Sequence, residues 1–124
     1  MTQPRPLIAV VDDEESICKA LARVLKSAGL DVETFSSGAS FLASIQTHQP
    51  DCVLLDLDMP IMNGLELVRN VRSNEKYAKV TICMVTTETD IVQLDTVIEA
   101  GANAYVMKPF TKELIQEKVR SLGF

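Results

Sequence analysis

The chain alternates short runs of branched apolar residues with segments whose apolar positions recur every three or four residues. Residues 7–11, 51–55, 80–85 and 104–107 have the composition of strands, and 31–35 alternates more weakly. The stronger runs are apolar on both faces, the pattern of strands covered by helices on both sides. Between them, Ile17, Ala20, Leu21, Val24, Leu25 and Ala28 keep helical spacing up to Gly29, whose missing Cβ suits a helix C-terminus. Phe41, Leu42 and Ile45 mark a second helix, and Leu65, Val68 and Val71 a third. Ile91, Leu94, Val97 and Ile98 form one stripe on a fourth that ends at Gly101, with Val92 off the stripe beside Thr96 and Glu99. Thr111 caps a fifth that carries Leu114, Ile115, Val119 and Leu122. This alternation predicts an α/β fold, a doubly wound five-stranded parallel sheet flanked by five helices.

Such a fold places the C-terminal ends of all strands along one edge, where ligands bind. The residues that end the predicted strands are polar: Asp12, Asp13, Glu14 and Glu15 after the first, Asp56 after the third, Thr86 and Thr87 after the fourth, and Lys108 before Pro109 after the fifth. Carboxylates gathered there without a cation repel and raise one another's pKa, so the set calls for a hard, oxygen-ligated ion such as Mg²⁺. Asp56 is the candidate nucleophile for a phosphoryl group, and Mg²⁺ on Asp12, Asp13 and Asp56 would offset the approach of a dianion. Lys108 supplies a positive charge to one phosphoryl oxygen and the Thr86 hydroxyl a hydrogen bond to another. Pro109 fixes the turn that aims the lysine.

Length and charge narrow the picture. The 124 residues suit one domain, and twelve Lys and Arg against seventeen Asp and Glu leave a net charge of −5, which repels phosphate backbones and anionic lipid. Direct nucleic-acid binding and membrane attachment are therefore not expected. No signal peptide or membrane span is visible, and a cytoplasmic location is expected. Cys18, Cys52 and Cys83 lie in apolar runs without metal-ligand spacing and read as buried free thiols. His48, far from the acidic edge, suits the C-terminal end of a helix.

The segments VVDDEE, LLDLDMPIMNG, MVTTE and GANAYVMKPF, in this order, closely resemble the receiver domain of two-component response regulators, and the likeness runs from about residue 7 to 122. The resemblance implies a flavodoxin-like fold and a single receiver domain over 1–124 with no output domain. It implies that Asp56 accepts a phosphoryl group from the phosphohistidine of a histidine kinase or phosphotransfer protein. Asp12 and Asp13 would hold Mg²⁺ together with Asp56 and the backbone carbonyl of Asp58, and Thr86 and Lys108 would bind the phosphoryl group. Thr86 and Tyr105 would form the switch pair, changing the face made by the fourth helix, fifth strand and fifth helix so that it binds a downstream protein. A monomer before phosphorylation and a dimer after it fit the same family. Thr87 stands where the family commonly has a smaller residue, and Asp58 and Glu88 occupy positions that resemble those tuning phosphoryl lifetime.

Two other functions share these residues. The DxD of Asp56-Leu57-Asp58 resembles haloacid-dehalogenase-like phosphatases, but Pro60 departs from that motif and the acidic pair lies upstream; otherwise the protein is not expected to be an enzyme beyond reactions on its own Asp56. The other is a phosphorylation-independent scaffold. The second half of the chain is more similar to chemotaxis regulators, whereas ETFSSGASFL resembles regulators with DNA-binding output domains.

Overall fold

The computed structural model describes residues 5–87 and 93–124. Strands β1 (Leu7–Val11), β2 (Asp31–Phe35), β3 (Cys52–Asp56), β4 (Thr81–Thr86) and β5 (Ala104–Met107) form one sheet in the order β2-β1-β3-β4-β5, with every pair parallel. Helices α1 (Glu15–Ser27), α2 (Gly38–Ile45), α3 (Gly64–Arg72), α4 (Leu94–Ala100) and α5 (Lys112–Ser121) connect them. A short 3-10 turn at Glu75–Tyr77 precedes β4. This is the doubly wound arrangement expected from the alternation of apolar runs.

Strand periodicity divides the interior into two layers. Val53, Leu55, Ile82 and Met84 face α2, α3 and α4, where Phe41, Ile45, Leu67, Val68, Val71, Leu94 and Val97 close over them. Ile8, Val10, Cys52, Leu54, Cys83, Val85 and Val106 face α1 and α5, meeting Cys18, Leu21, Leu25, Ile115 and Val119. All three cysteines are buried free thiols, and burial pushes Cys83 up to about 12 and Cys52 higher still. His48 follows α2, its N–H bonded to the Ser44 carbonyl and its Nδ1 3.8 Å from Glu33.

Three expectations need correction. β3 runs one residue later than its apolar run suggests, because Asp51 stays outside it and its carboxylate accepts the Leu7 N–H at 2.8 Å; Asp56 is thus the last residue of the strand. β4 likewise begins at Thr81 and includes Thr86. Among the described residues of α4 the buried stripe is Leu94 and Val97, while Ile98 is 41% exposed; the helix packs chiefly against α3. Ile91, Val92 and Glu88 lie outside the described residues.

Two features of the β3–α3 connection were not visible in the apolar pattern. The Asn63 side chain accepts the Glu66 N–H at 2.9 Å while Glu66 accepts the Asn63 N–H, a reciprocal cap that starts α3 abruptly. Gly64 then abuts β3: a Cβ there would meet the Asp56 carbonyl oxygen at 2.6 Å and the Leu57 Cα at 2.8 Å. An alanine in the first turn of a helix ordinarily stabilises it. Gly64→Ala should instead lower stability by about 1–3 kcal/mol through overpacking against backbone, measured by urea denaturation; an unchanged or raised midpoint would contradict this packing.

Candidate functional site

Alternation along the strands brings the site together. Asp12 follows Ile8 and Val10, Asp56 follows Cys52 and Leu54, and Lys108 follows Ala104 and Val106, so all three continue rows that face α1 and α5. They meet where the strand order reverses between β1 and β3, at the C-terminal edge. β4 lies between β3 and β5, so only a long side chain on β5 can reach the acids. The Lys108 Nζ does so, lying 3.0 Å from Asp12 Oδ2 and 3.3 Å from Asp56 Oδ1.

The three groups are almost dry, with side-chain exposures of 12% for Lys108, 2% for Asp12 and 6% for Asp56. Exposed Asp13 completes an acidic trio whose ligand oxygens all lie within 4.8 Å of one another. One ammonium therefore serves two of these carboxylates, with the third at the rim. Burial first, and then the Asp12 charge, push Asp56 up to about 6, although Lys108 and the Asp58 backbone N–H oppose the shift. Burial works against the Lys108 ammonium, but its hydrogen bond to Asp12 and the charges of Asp56 and Asp12 outweigh it and raise its pKa.

Local backbone contacts hold this edge in place. Asp12 donates its N–H to the Phe35 carbonyl at 3.1 Å and turns its Oδ1 to the Glu14 N–H at 2.9 Å, which shapes the turn into α1. The buried Cys18 thiol donates to the Asp12 carbonyl at 3.3 Å. The Lys108 N–H donates to the Thr86 carbonyl at 2.6 Å, and the peptide between Lys108 and Pro109 is cis.

Thr86 is fully buried at the end of β4, on the opposite side of the sheet from the Asp12, Asp56 and Lys108 row, with its hydroxyl 3.4 Å from the Thr87 carbonyl oxygen. In the β4–β5 register Tyr105 stands beside Met84 and Thr86 beside Met107, so Thr86 and Tyr105 share a face one diagonal step apart. Tyr105 is 43% exposed. The structure thus gathers Asp12, Asp13, Asp56 and Lys108 at one point, sets Thr86 at the same edge, and places Tyr105 further down, facing outward.

Sequence reasoning missed Arg72. At the end of α3 it looks like an ordinary dipole-complementing cation. Its guanidinium instead donates to the carbonyls of Gly101 (2.9 Å), Tyr77 (3.1 Å) and Val80 (2.7 Å) and to the Asn103 side chain (3.0 Å). It ties the end of α3 to the start of β4 and the end of α4. No local sequence signal distinguishes it, because its acceptors are backbone carbonyls.

The described donors suit a hard cation: three carboxylates whose ligand oxygens lie within 4.8 Å of one another, with a single ammonium beside two of them, are the all-oxygen set that such an ion takes.

Comparison with known proteins agrees with this fold. Residues 8–120 match the family model of the response regulator receiver domain. The DNA-binding response regulator MtrA of Mycolicibacterium smegmatis is 38% identical over 121 residues, which cover 98% of this chain and 52% of that protein. The chain spans about half the length of the curated relatives it matches. Among solved structures, the chemotaxis protein CheY4 of Vibrio cholerae superposes with a TM-score of 0.90 at 32% identity, covering 95% of this chain and 98% of that one. A putative response regulator from Chloroflexus aurantiacus gives a TM-score of 0.91 at 30% identity, covering 96% and 98%. The chain belongs to the response regulator receiver domain family of two-component systems.

Proposed function

We propose that this domain accepts a phosphoryl group on Asp56 and passes the event to a protein partner through the α4-β5-α5 face. The observation that carries the reading is the buried pairing of Asp12 and Asp56 around the Lys108 Nζ, with Asp13 completing a trio of acids. Asp12, Asp13 and Asp56 would hold Mg²⁺ with the backbone carbonyl of Asp58. When bound, the ion supplies positive charge that offsets repulsion between carboxylate and phosphoryl oxygens.

An Asp56 carboxylate oxygen forms the new O–P bond as the N–P bond of the donor's phosphohistidine breaks, and the imidazole leaves with the electron pair. Lys108 turns from Asp56 to a phosphoryl oxygen while keeping Asp12. Burial has already stripped most of the water from its ammonium, so little further hydration is lost in that move. The Thr86 hydroxyl binds another phosphoryl oxygen, and its movement opens room on the face it shares with Tyr105. The donor is a histidine kinase or phosphotransfer protein, and the chemistry is confined to Asp56. The similar proteins include a chemotaxis protein, CheY4, and a DNA-binding response regulator, MtrA, so chemotaxis and gene regulation are both settings for this domain, and a cytoplasmic location suits the buried thiols.

Incubation with acetyl phosphate and Mg²⁺ should add one phosphoryl group to the intact mass, absent with Asp56→Asn or with EDTA. If neither this adduct nor Mg²⁺-dependent beryllofluoride binding is detected, the reading fails.

The raised pKa of Asp56 also makes a stability prediction. Its unfolded value is near 3.8 and its folded value about 6. The stabilising effect of the raised pKa is complete below 3.8 and is lost as pH rises to about 6, leaving the ionised form a cost above that. In metal-free protein, Asp56→Asn should therefore be more stable than wild type by on the order of 2 kcal/mol at pH 7, and no more stable near pH 4. Thermal unfolding in EDTA at both pH values reads this; a destabilised variant at pH 7 would contradict it.

A further inference from the structure

Cys18 makes a contact that helix geometry does not require. A polar side chain inside a helix ordinarily returns its hydrogen to the carbonyl four residues back. For Cys18 that carbonyl is Glu14's, which already holds the N–H groups of Ile17 and Cys18. The thiol instead donates six residues back, outside α1, to the Asp12 carbonyl at 3.3 Å. Its sulfur also lies 3.8 Å from the Phe35 carbonyl, the same oxygen that accepts the Asp12 N–H. One side chain thus joins α1 to the ends of β1 and β2. Among the described residues no backbone N–H donates to the Asp12 carbonyl, so this oxygen depends on the thiol for its partner.

That carbonyl belongs to the peptide joining Asp12 to Asp13. Successive side chains of an extended strand point to opposite faces, yet both residues bring a carboxylate oxygen within 4.8 Å of the other and of Asp56. The chain does this by bending at Asp13, directly after the peptide that Cys18 holds. The orientation of this peptide therefore sets the angle between the two carboxylates. Packing leaves it room to rotate, because a cavity of about 380 Å³ lined by Asp12, Asp13, Cys18, Phe35 and Ser36 opens beside it. The carboxylate of Asp12 is held separately, Oδ1 by the Glu14 N–H and Oδ2 by Lys108. Those bonds fix the Asp12 side chain but not the direction in which the chain leaves towards Asp13.

We infer that Cys18 is a positioning residue for the metal site: its thiol holds the Asp12–Asp13 peptide at the angle that lets both carboxylates face one hard cation. The inference rests on the reading of the acidic trio as a Mg²⁺ site. Without that bond the peptide is free to turn, Asp13 swings outward at the exposed rim, and binding of the ion must first order it again.

The experiment titrates Mg²⁺ into the unphosphorylated, isotope-labelled protein and reads the dissociation constant from NMR amide shifts, at a temperature where thermal unfolding shows every variant to be folded. Cys18→Ala removes the donor and should weaken Mg²⁺ binding about tenfold. Cys18→Ser keeps a donor in the same place and should recover most of that affinity, although both variants lose the packing of the sulfur. Val24→Ala takes packing from the same apolar layer further along α1 and should leave the affinity unchanged. Unchanged affinity in Cys18→Ala would overturn the inference. Equal losses in the alanine and serine variants would overturn it too, as would a loss in Val24→Ala as large as that in Cys18→Ala, since each would make Cys18 a packing residue alone. A wild type that binds no Mg²⁺ would overturn the metal-site reading itself, and the inference with it.

Discussion

The arrangement of this domain turns on one under-neutralised cluster. Asp12 and Asp56 share a single ammonium, at 3.0 and 3.3 Å from the Lys108 Nζ, in a setting nearly closed to water. Asp13 adds a third carboxylate at the rim. An isolated ion pair would draw Asp56 below its ordinary value, yet burial first, and then the Asp12 charge, raise it against the pull of Lys108. The site therefore carries more negative than positive charge, an excess that a hard cation would offset.

Much of the architecture exists to hold that cluster. The two apolar layers fix the strands, and the alternation of each strand then decides that Asp12, Asp56 and Lys108 extend the same row. Gly64 lets α3 start directly against the end of β3, so Asp56 is held by its backbone as well as by its strand. Arg72 anchors the far end of α3 to β4 and to the end of α4.

The fold and the acidic edge were legible because their causes are local. Branched apolar runs make strands, and the polar residues that end them must share an edge in a parallel sheet. The exact ends of β3 and β4 were less legible, since whether Asp51 or Thr86 belongs to a strand depends on partners such as Leu7 and Met107. Helical periodicity overstated the buried face of α4, because Ile98 obeys the spacing but stays 41% exposed. Arg72 and Gly64 were opaque for a shared reason: their roles rest on distant carbonyls and on a close backbone approach, neither of which residue type declares.

The most direct test of this excess of negative charge is the titration of the Asp56 carboxyl carbon by NMR, in EDTA and again in saturating Mg²⁺. A midpoint near 6 without metal, falling below the ordinary 3.8 when Mg²⁺ is present, is the expected result. A midpoint near 3.8 that does not respond to Mg²⁺ would mean that Lys108 already satisfies the cluster, contradicting the central role given to it here.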